Sequence, residues 1–157
     1  MNARSLVADP QKCTGCRMCE TVCSLVQNKT VNPSKSRIRI IHWNPDGIYI
    51  PLNCQQCEDA PCMTVCPKEA ISKDPHLGRI VIDYALCISC RMCVSACPFG
   101  AMGFDPAKQK VFKCDLCDGD PQCVRFCFPG SLTYETPDTL NLSKLRQSAS
   151  TFIFRRK

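Results

Sequence analysis

The sequence predicts an α+β fold in which short helices and β-hairpins gather around bound metal instead of a large apolar core, and three observations predict it. Sixteen of the 157 residues are cysteine, against one Trp, three Tyr and seven Phe. A chain so composed depends on covalent or metal staples where others use apolar burial. The cysteines fall without remainder into four quartets, Cys13/Cys16/Cys19/Cys23, Cys54/Cys57/Cys62/Cys66, Cys87/Cys90/Cys93/Cys97 and Cys114/Cys117/Cys123/Cys127. The first quartet resembles the third and the second resembles the fourth, the mark of an internal repeat.

The third quartet, Cys87-x2-Cys90-x2-Cys93-x3-Cys97-Pro98, is the spacing that holds 4Fe-4S clusters. Three thiolates two residues apart wrap one corner of a cube, while the fourth, about one helical turn further on, faces a second cluster. One such run calls for another, and Cys54-x2-Cys57-x4-Cys62-x3-Cys66-Pro67 supplies it. A disulfide framework is opposed by the four tight pairs and by the absence of a secretory signal in Met1 to Gln11. Structural zinc uses Cys-x2-Cys pairs set well apart, not a third cysteine two to five residues later and a fourth after x3. No Cys-x2-Cys precedes His, which removes c-type haem. Sixteen ligands serve four 4Fe-4S clusters, and without iron the chain is expected to be largely unfolded.

In chain order, Ala8-Asp9-Pro10-Gln11-Lys12 leads into the first quartet, and Cys16-Arg17-Met18-Cys19 returns 74 residues later as Cys90-Arg91-Met92-Cys93. Val22, Leu25 and Val26 have helical spacing, so a helix running to about Asn28 is expected, with these three packed in the core. After the turn-rich Asn32-Pro33-Ser34-Lys35-Ser36, the alternation Arg37-Ile38-Arg39-Ile40 predicts a half-buried strand. Asn44-Pro45-Asp46-Gly47 has turn chemistry and Ile48-Tyr49-Ile50 is the returning strand. Asp74 to Arg79 reads as a turn and Ile80-Val81-Ile82-Asp83 as a strand entering the third quartet. Phe104 to Phe112 predicts a hairpin turning at Asp105-Pro106-Ala107-Lys108, and Thr133-Tyr134 a final strand. His42 and His76 read as hairpin and turn residues.

Cys66-Pro67 and Cys97-Pro98 match, and proline holds the preceding residue out of helical geometry, so the second and third quartets pair. Cys23-Ser24 and Cys127-Phe128 lack that proline, and the outer quartets pair by elimination. Nesting also keeps the 20-residue connection between Cys66 and Cys87 short.

With the sixteen ligands and Lys113-Cys114-Asp115-Leu116-Cys117, the stretch Cys13 to Tyr134 resembles the four-cluster, ferredoxin-like electron-transfer subunits of molybdenum or tungsten pterin enzymes. Dimethyl sulfoxide reductase, formate dehydrogenase and aldehyde oxidoreductase have such subunits. The resemblance implies nested ligation: Cys13, Cys16, Cys19 and Cys127 on one cluster, and Cys114, Cys117, Cys123 and Cys23 on its neighbour. It likewise implies Cys54, Cys57, Cys62 and Cys97 on a third, and Cys87, Cys90, Cys93 and Cys66 on a fourth. Two bacterial-ferredoxin-like dicluster modules follow, an outer one from residues 1–30 with 101–135 and an inner one from 31–100. Residues 136–157, with Phe152 and Phe154 before Arg155-Arg156-Lys157, are expected to form a docking arm.

The implied partner is a large catalytic subunit holding a tungsten or molybdenum pterin, foremost that of a tungsten-dependent aldehyde oxidoreductase, with a flavin/NAD subunit or a ferredoxin as further redox partner and self-association along the row of clusters. A formate dehydrogenase or hydrogenase complex, or life as a free polyferredoxin, are the alternatives. No Gly-x-Gly-x-x-Gly or Gly-x4-Gly-Lys loop is present, and iron fully ligated by cysteine moves electrons and activates no substrate, so no catalytic residues are assigned. The formal charge of +6 counts cysteines as neutral. Four oxidised clusters at roughly two negative charges each would add about eight, so the charge does not imply nucleic acid. The basic end also lacks an aromatic platform. Lys12, Arg17, Arg91 and Lys113 lie beside ligands, and the sequence leaves both charge compensation and simple solvation open for them. No window approaches eighteen consecutive apolar residues, and a cytoplasmic protein with no membrane span is expected.

Overall fold

Four antiparallel ribbons and four helices alternate along the chain in a computed structural model that describes residues 4–43, 47–136 and 139. The expected arm at 136–157 lies outside the described residues except for Thr136 and Thr139. The strands are β1 (Ser5–Ala8), β2 (Arg39–Trp43), β3 (Ile48–Leu52), β4 (Ile71–Lys73), β5 (Ile80–Ile82), β6 (Gly103–Asp105), β7 (Lys110–Phe112) and β8 (Leu132–Glu135). The helices are α1 (Met18–Asn28), α2 (Pro61–Thr64), α3 (Met92–Ala96) and α4 (Gln122–Arg125). Strands pair as β1 with β8, β2 with β3, β4 with β5 and β6 with β7. Such two-stranded ribbons are marginal alone, so what they surround must hold them.

The helix expected to end near Asn28 is α1, which stops where Lys29 turns left-handed at φ 57° and donates its N–H to Leu25 O at 2.8 Å. Its buried face differs from the expected one. Leu25 and Val26 are exposed, and the inward stripe is Cys19, Val22 and Cys23. The helix is turned by its two cysteines, which outweigh the two aliphatic side chains. Ser24, fully buried, donates Oγ to Thr21 O at 2.8 Å and accepts from the Asn32 N–H at 3.1 Å. Ser24→Ala leaves that N–H unpaired, and we expect a loss of about 1–3 kcal/mol in denaturant unfolding of the loaded protein.

The alternating stretch at Arg37 to Ile40 is a strand only from Arg39 onward, and the ribbon extends to Trp43. Ser36 explains the shift, because its Oγ donates to Ile38 O and accepts from the Ile38 N–H, holding 36–38 in a side-chain-bonded turn. Across the β2–β3 ribbon His42 opposes Tyr49, and the two rings stack at 4.8 Å. The β6–β7 hairpin turns as expected, with Asp105 Oδ1 accepting from the N–H groups of Ala107 and Lys108. His76 sits in its turn, its N–H bound to Asp74 Oδ1 at 2.9 Å.

Two apolar cores result. The first joins Leu6, Ile38, Ile40, Leu116 and Leu132 to Cys19, Cys23, Cys114 and Cys123, with Tyr49 and Tyr134 packed against it. The second joins Ala60, Ile71, Ile80, Met102 and Val111 to Cys62 and Cys93, with Phe104 alongside. These cores do not divide at the expected boundaries after residues 30 and 100. The β2–β3 ribbon gives Ile40 and Tyr49 to the core of the outer quartets, and the β6–β7 ribbon gives Val111 and Phe104 to that of the inner ones.

Candidate metal centre

Each quartet begins with a loop that the sequence bends sharply. The residue before the second cysteine has a left-handed backbone in all four, with φ of 69° at Gly15, 50° at Gln56, 55° at Ser89 and 57° at Leu116. Arg17 and Arg91, just after the second cysteine, share that conformation. Left-handed residues curl successive N–H groups toward one side and make a concavity suited to negative charge. For non-glycine residues the geometry costs of order 1–3 kcal/mol each, and such strain gathers where a ligand is held. Only at Gly15 does the residue type announce it. A Cβ there would also stand 2.5 Å from the Tyr49 ring.

The third cysteine of every quartet lies in a helix: Cys19 in α1, Cys62 in α2, Cys93 in α3 and Cys123 in α4. All four are buried. The fourth cysteines differ, Cys97 being extended at φ −75° and ψ 112° before Pro98 and Cys23 lying within α1. Backbone N–H groups four residues on then bond the sulfurs, Ala70 to Cys66 Sγ at 3.3 Å and Ala101 to Cys97 Sγ at 3.4 Å. Cys23 Sγ takes the Arg37 N–H at 3.3 Å instead.

Three cavities show which sulfurs come together. One is lined by Cys13, Cys16, Cys19 and Cys127, and one by Cys23, Cys114, Cys117 and Cys123. A third is lined by Cys66, Cys87, Cys90 and Cys93. Around the remaining four, burial raises the Cys54 and Cys62 thiols, and Cys97 adds to the rise in both, with Cys57 adding to it at Cys54. In every set the fourth member comes from the paired quartet.

The donor chemistry fits iron–sulfur cubes. All sixteen cysteines are free thiols, none in a disulfide. Among the described residues no three His, Cys, Asp or Glu side chains converge closely enough for a single metal ion, so the sulfurs stand around spaces and not around a point. Burial pushes Cys19 and Cys114 up to about 12 and Cys93 to about 11 from the ordinary 9.0, and raises Cys123 as well. Such thiols are protonated at neutral pH until a metal displaces the proton. Residues 45–136 match the 4Fe-4S dicluster domain, and residues 10–27 match a 4Fe-4S binding domain.

The chain belongs to the 4Fe-4S dicluster domain family.

This dicluster protein is similar to the polyferredoxin-like subunit of aliphatic sulfonate oxidoreductase of Pyrococcus furiosus, at 43% identity over 78% of this chain and 70% of that one. It is similar to the electron transport protein HydN of Escherichia coli, at 35% identity over 79% and 83%. Among solved structures, a chain of the active-site complex BamBC of benzoyl coenzyme A reductase covers 92% of this chain and 89% of its own length, with TM-score 0.53 and 27% identity. The dicluster protein is thus an iron–sulfur electron-transfer chain of the kind found in oxidoreductase complexes, without a catalytic role of its own, and its sixteen cysteines suffice for four 4Fe-4S clusters.

Sequence reasoning named every cysteine, left Lys113 open and missed Gln56 and Glu20 beside them. Gln56, between Cys54 and Cys57, bonds the Ile80 N–H at 2.8 Å and Cys114 O at 2.9 Å. Lys113, left open between charge compensation and solvation, is buried. Glu20, also buried, accepts the Ile40 N–H at 2.9 Å and pairs with Arg17 Nε at 3.4 Å. Only the position of Lys113 next to a ligand hinted at any of these. Among the described residues no helix is long and apolar enough to cross a membrane.

Proposed function

We propose that the chain is a wire of four 4Fe-4S clusters in two dicluster modules, relaying electrons between a tungsten or molybdenum pterin subunit, foremost an aldehyde oxidoreductase, and a second redox partner. Each cluster, when bound, accepts and returns one electron without an open coordination position. The ligands would be Cys13, Cys16, Cys19 and Cys127; Cys23, Cys114, Cys117 and Cys123; Cys54, Cys57, Cys62 and Cys97; and Cys66, Cys87, Cys90 and Cys93. The single observation that carries this reading is the sharing of each cavity by three cysteines of one quartet and the fourth of its paired quartet. The thiol-rich chain suits a reducing cytoplasm.

The wire would have two exits. Cys16 and Cys90 are the two exposed cysteines, one in each of two different cavities. The exposed Met18 and Phe126 line the cavity of Cys16, and the exposed Ile88 and Met92 line that of Cys90. Apolar rims of this kind suit partners that must exclude water over a short electron path.

Cys127→Ser tests the crossed arrangement. We expect the EPR signal of the cluster at Cys13, Cys16 and Cys19 to change while that at Cys114, Cys117 and Cys123 persists, with iron in the native complex near sixteen per chain and tungsten or molybdenum in the partner. Loss of the Cys114 signal instead would rule out the nested scheme, and a partner lacking both metals would remove the pterin assignment.

A further inference from the structure

Among the described residues one cation is buried. Lys113 is 3% exposed and donates its Nζ to Cys114 O at 2.6 Å, to Gln56 Oε1 at 3.2 Å and to Ile80 O. Three acceptors and no donor face it, which uses all three hydrogens of an ammonium group. Gln56 continues the bridge, since it lies between Cys54 and Cys57 and its Nε2 donates to Cys114 O. The lysine therefore stands where the loop of Cys54 and Cys57 meets the loop of Cys114 and Cys117. Cys54 itself packs against the first core, although its quartet otherwise belongs to the second.

We propose that Lys113 is the residue that holds the two middle clusters, at Cys54/Cys57/Cys62/Cys97 and Cys23/Cys114/Cys117/Cys123, at higher reduction potential than the two terminal ones. The proposal rests on the four-cluster reading above. Each cluster gains one negative charge with one electron, and a cation in a low-dielectric interior stabilises that charge far more than one in water.

The terminal cavities are differently furnished. The basic residue of the first, Arg17, is 62% exposed in its side chain and pairs with the buried Glu20 carboxylate at 3.4 Å. At the other end Arg91 is exposed, with its guanidinium 3.7 Å above the Phe104 ring. Neither end has a buried ammonium like that of Lys113. Electrons entering at Cys16 or Cys90 would consequently settle in the middle of the wire before they leave.

The test uses the full chain with its clusters. In an EPR-monitored redox titration, Lys113→Met is expected to lower two of the four midpoint potentials by about a tenfold change in the reduction equilibrium, which is about 59 mV for a one-electron couple. The other two should hold, and Lys113→Arg should stay close to the unaltered protein. Four intact clusters with no shift, or an equal fall in all four, overturns the proposal. Fewer than four clusters in the unaltered protein overturns the four-cluster reading instead. If Lys113→Met takes up no clusters, the half-reduced unaltered protein decides, because the first two electrons should lie on neighbouring clusters and show spin–spin interaction. Magnetically isolated signals at that point overturn the assignment to Lys113.

Discussion

Removing iron from the reduced protein with a strong chelator is expected to unfold most of the chain, not merely to bleach it. The buried residues of the first core include four cysteines beside Leu6, Ile38, Ile40, Leu116 and Leu132, and the second core is smaller still. The ribbons β4–β5 and β6–β7 have strands of three residues each, and isolated ribbons of that length do not persist in water. Left-handed residues at Gln56, Ser89, Arg91 and Leu116 add strain of order 1–3 kcal/mol apiece, which only an occupied cavity offsets. Far-UV circular dichroism and amide exchange of the iron-free protein check this, and we expect loss of both the secondary structure and the protection. A native-like spectrum without iron would show that the ribbons and the two cores suffice alone.

Replacing Gly15 by alanine should cost the protein one cluster while leaving the others. The new Cβ would meet the Tyr49 ring at 2.5 Å, and Tyr49 has little room to yield because it is stacked on His42 and packed against the first core. The φ of 69° adds a conformational penalty that glycine does not carry. Overpacking of this kind costs about 1–3 kcal/mol, and here it falls on the loop between Cys13 and Cys16. We expect iron to drop from about sixteen to about twelve per chain, with the EPR signal of the Cys13 cluster lost. Tyr49→Ala in the same chain should restore it by vacating the space.

The four cysteine quartets were legible because spacing is a local property that ligand geometry dictates. The hairpin turning at Asp105 to Lys108 was legible for the same reason, as were the turn at Asp74 to Arg79 and the final strand at Thr133-Tyr134. The remote partner of that strand was not. β1 pairs with β8, Ser5 opposite Glu135 and Ala8 opposite Leu132, and nothing in Leu6-Val7-Ala8 says that its neighbour lies at the far side of the sequence. β4 is three residues long and shows no alternation to detect. Leu25 and Val26 misled because helical periodicity marks an apolar face without saying whether metal ligands will claim the inward side. Lys113 and Gln56 could not be placed, since their partners, Ile80 and Cys114 O, are brought to them only by the packing of the two cores.

The closing of β1 on β8 has a consequence for how the protein is made. A chain leaves the ribosome from its amino end, and units ordinarily mature in that order. Here the earliest quartet cannot finish first. Cys13, Cys16 and Cys19 share their cavity with Cys127, and β1 must wait for Leu132–Glu135 to emerge. The middle of the sequence is complete much sooner, with Cys54 to Cys97 in hand and β7 ending at Phe112. On the proposed ligand sets maturation would run from the centre outward, and a released chain ending at residue 120 should already carry iron at the second and third quartets while the first remains reactive toward thiol reagents.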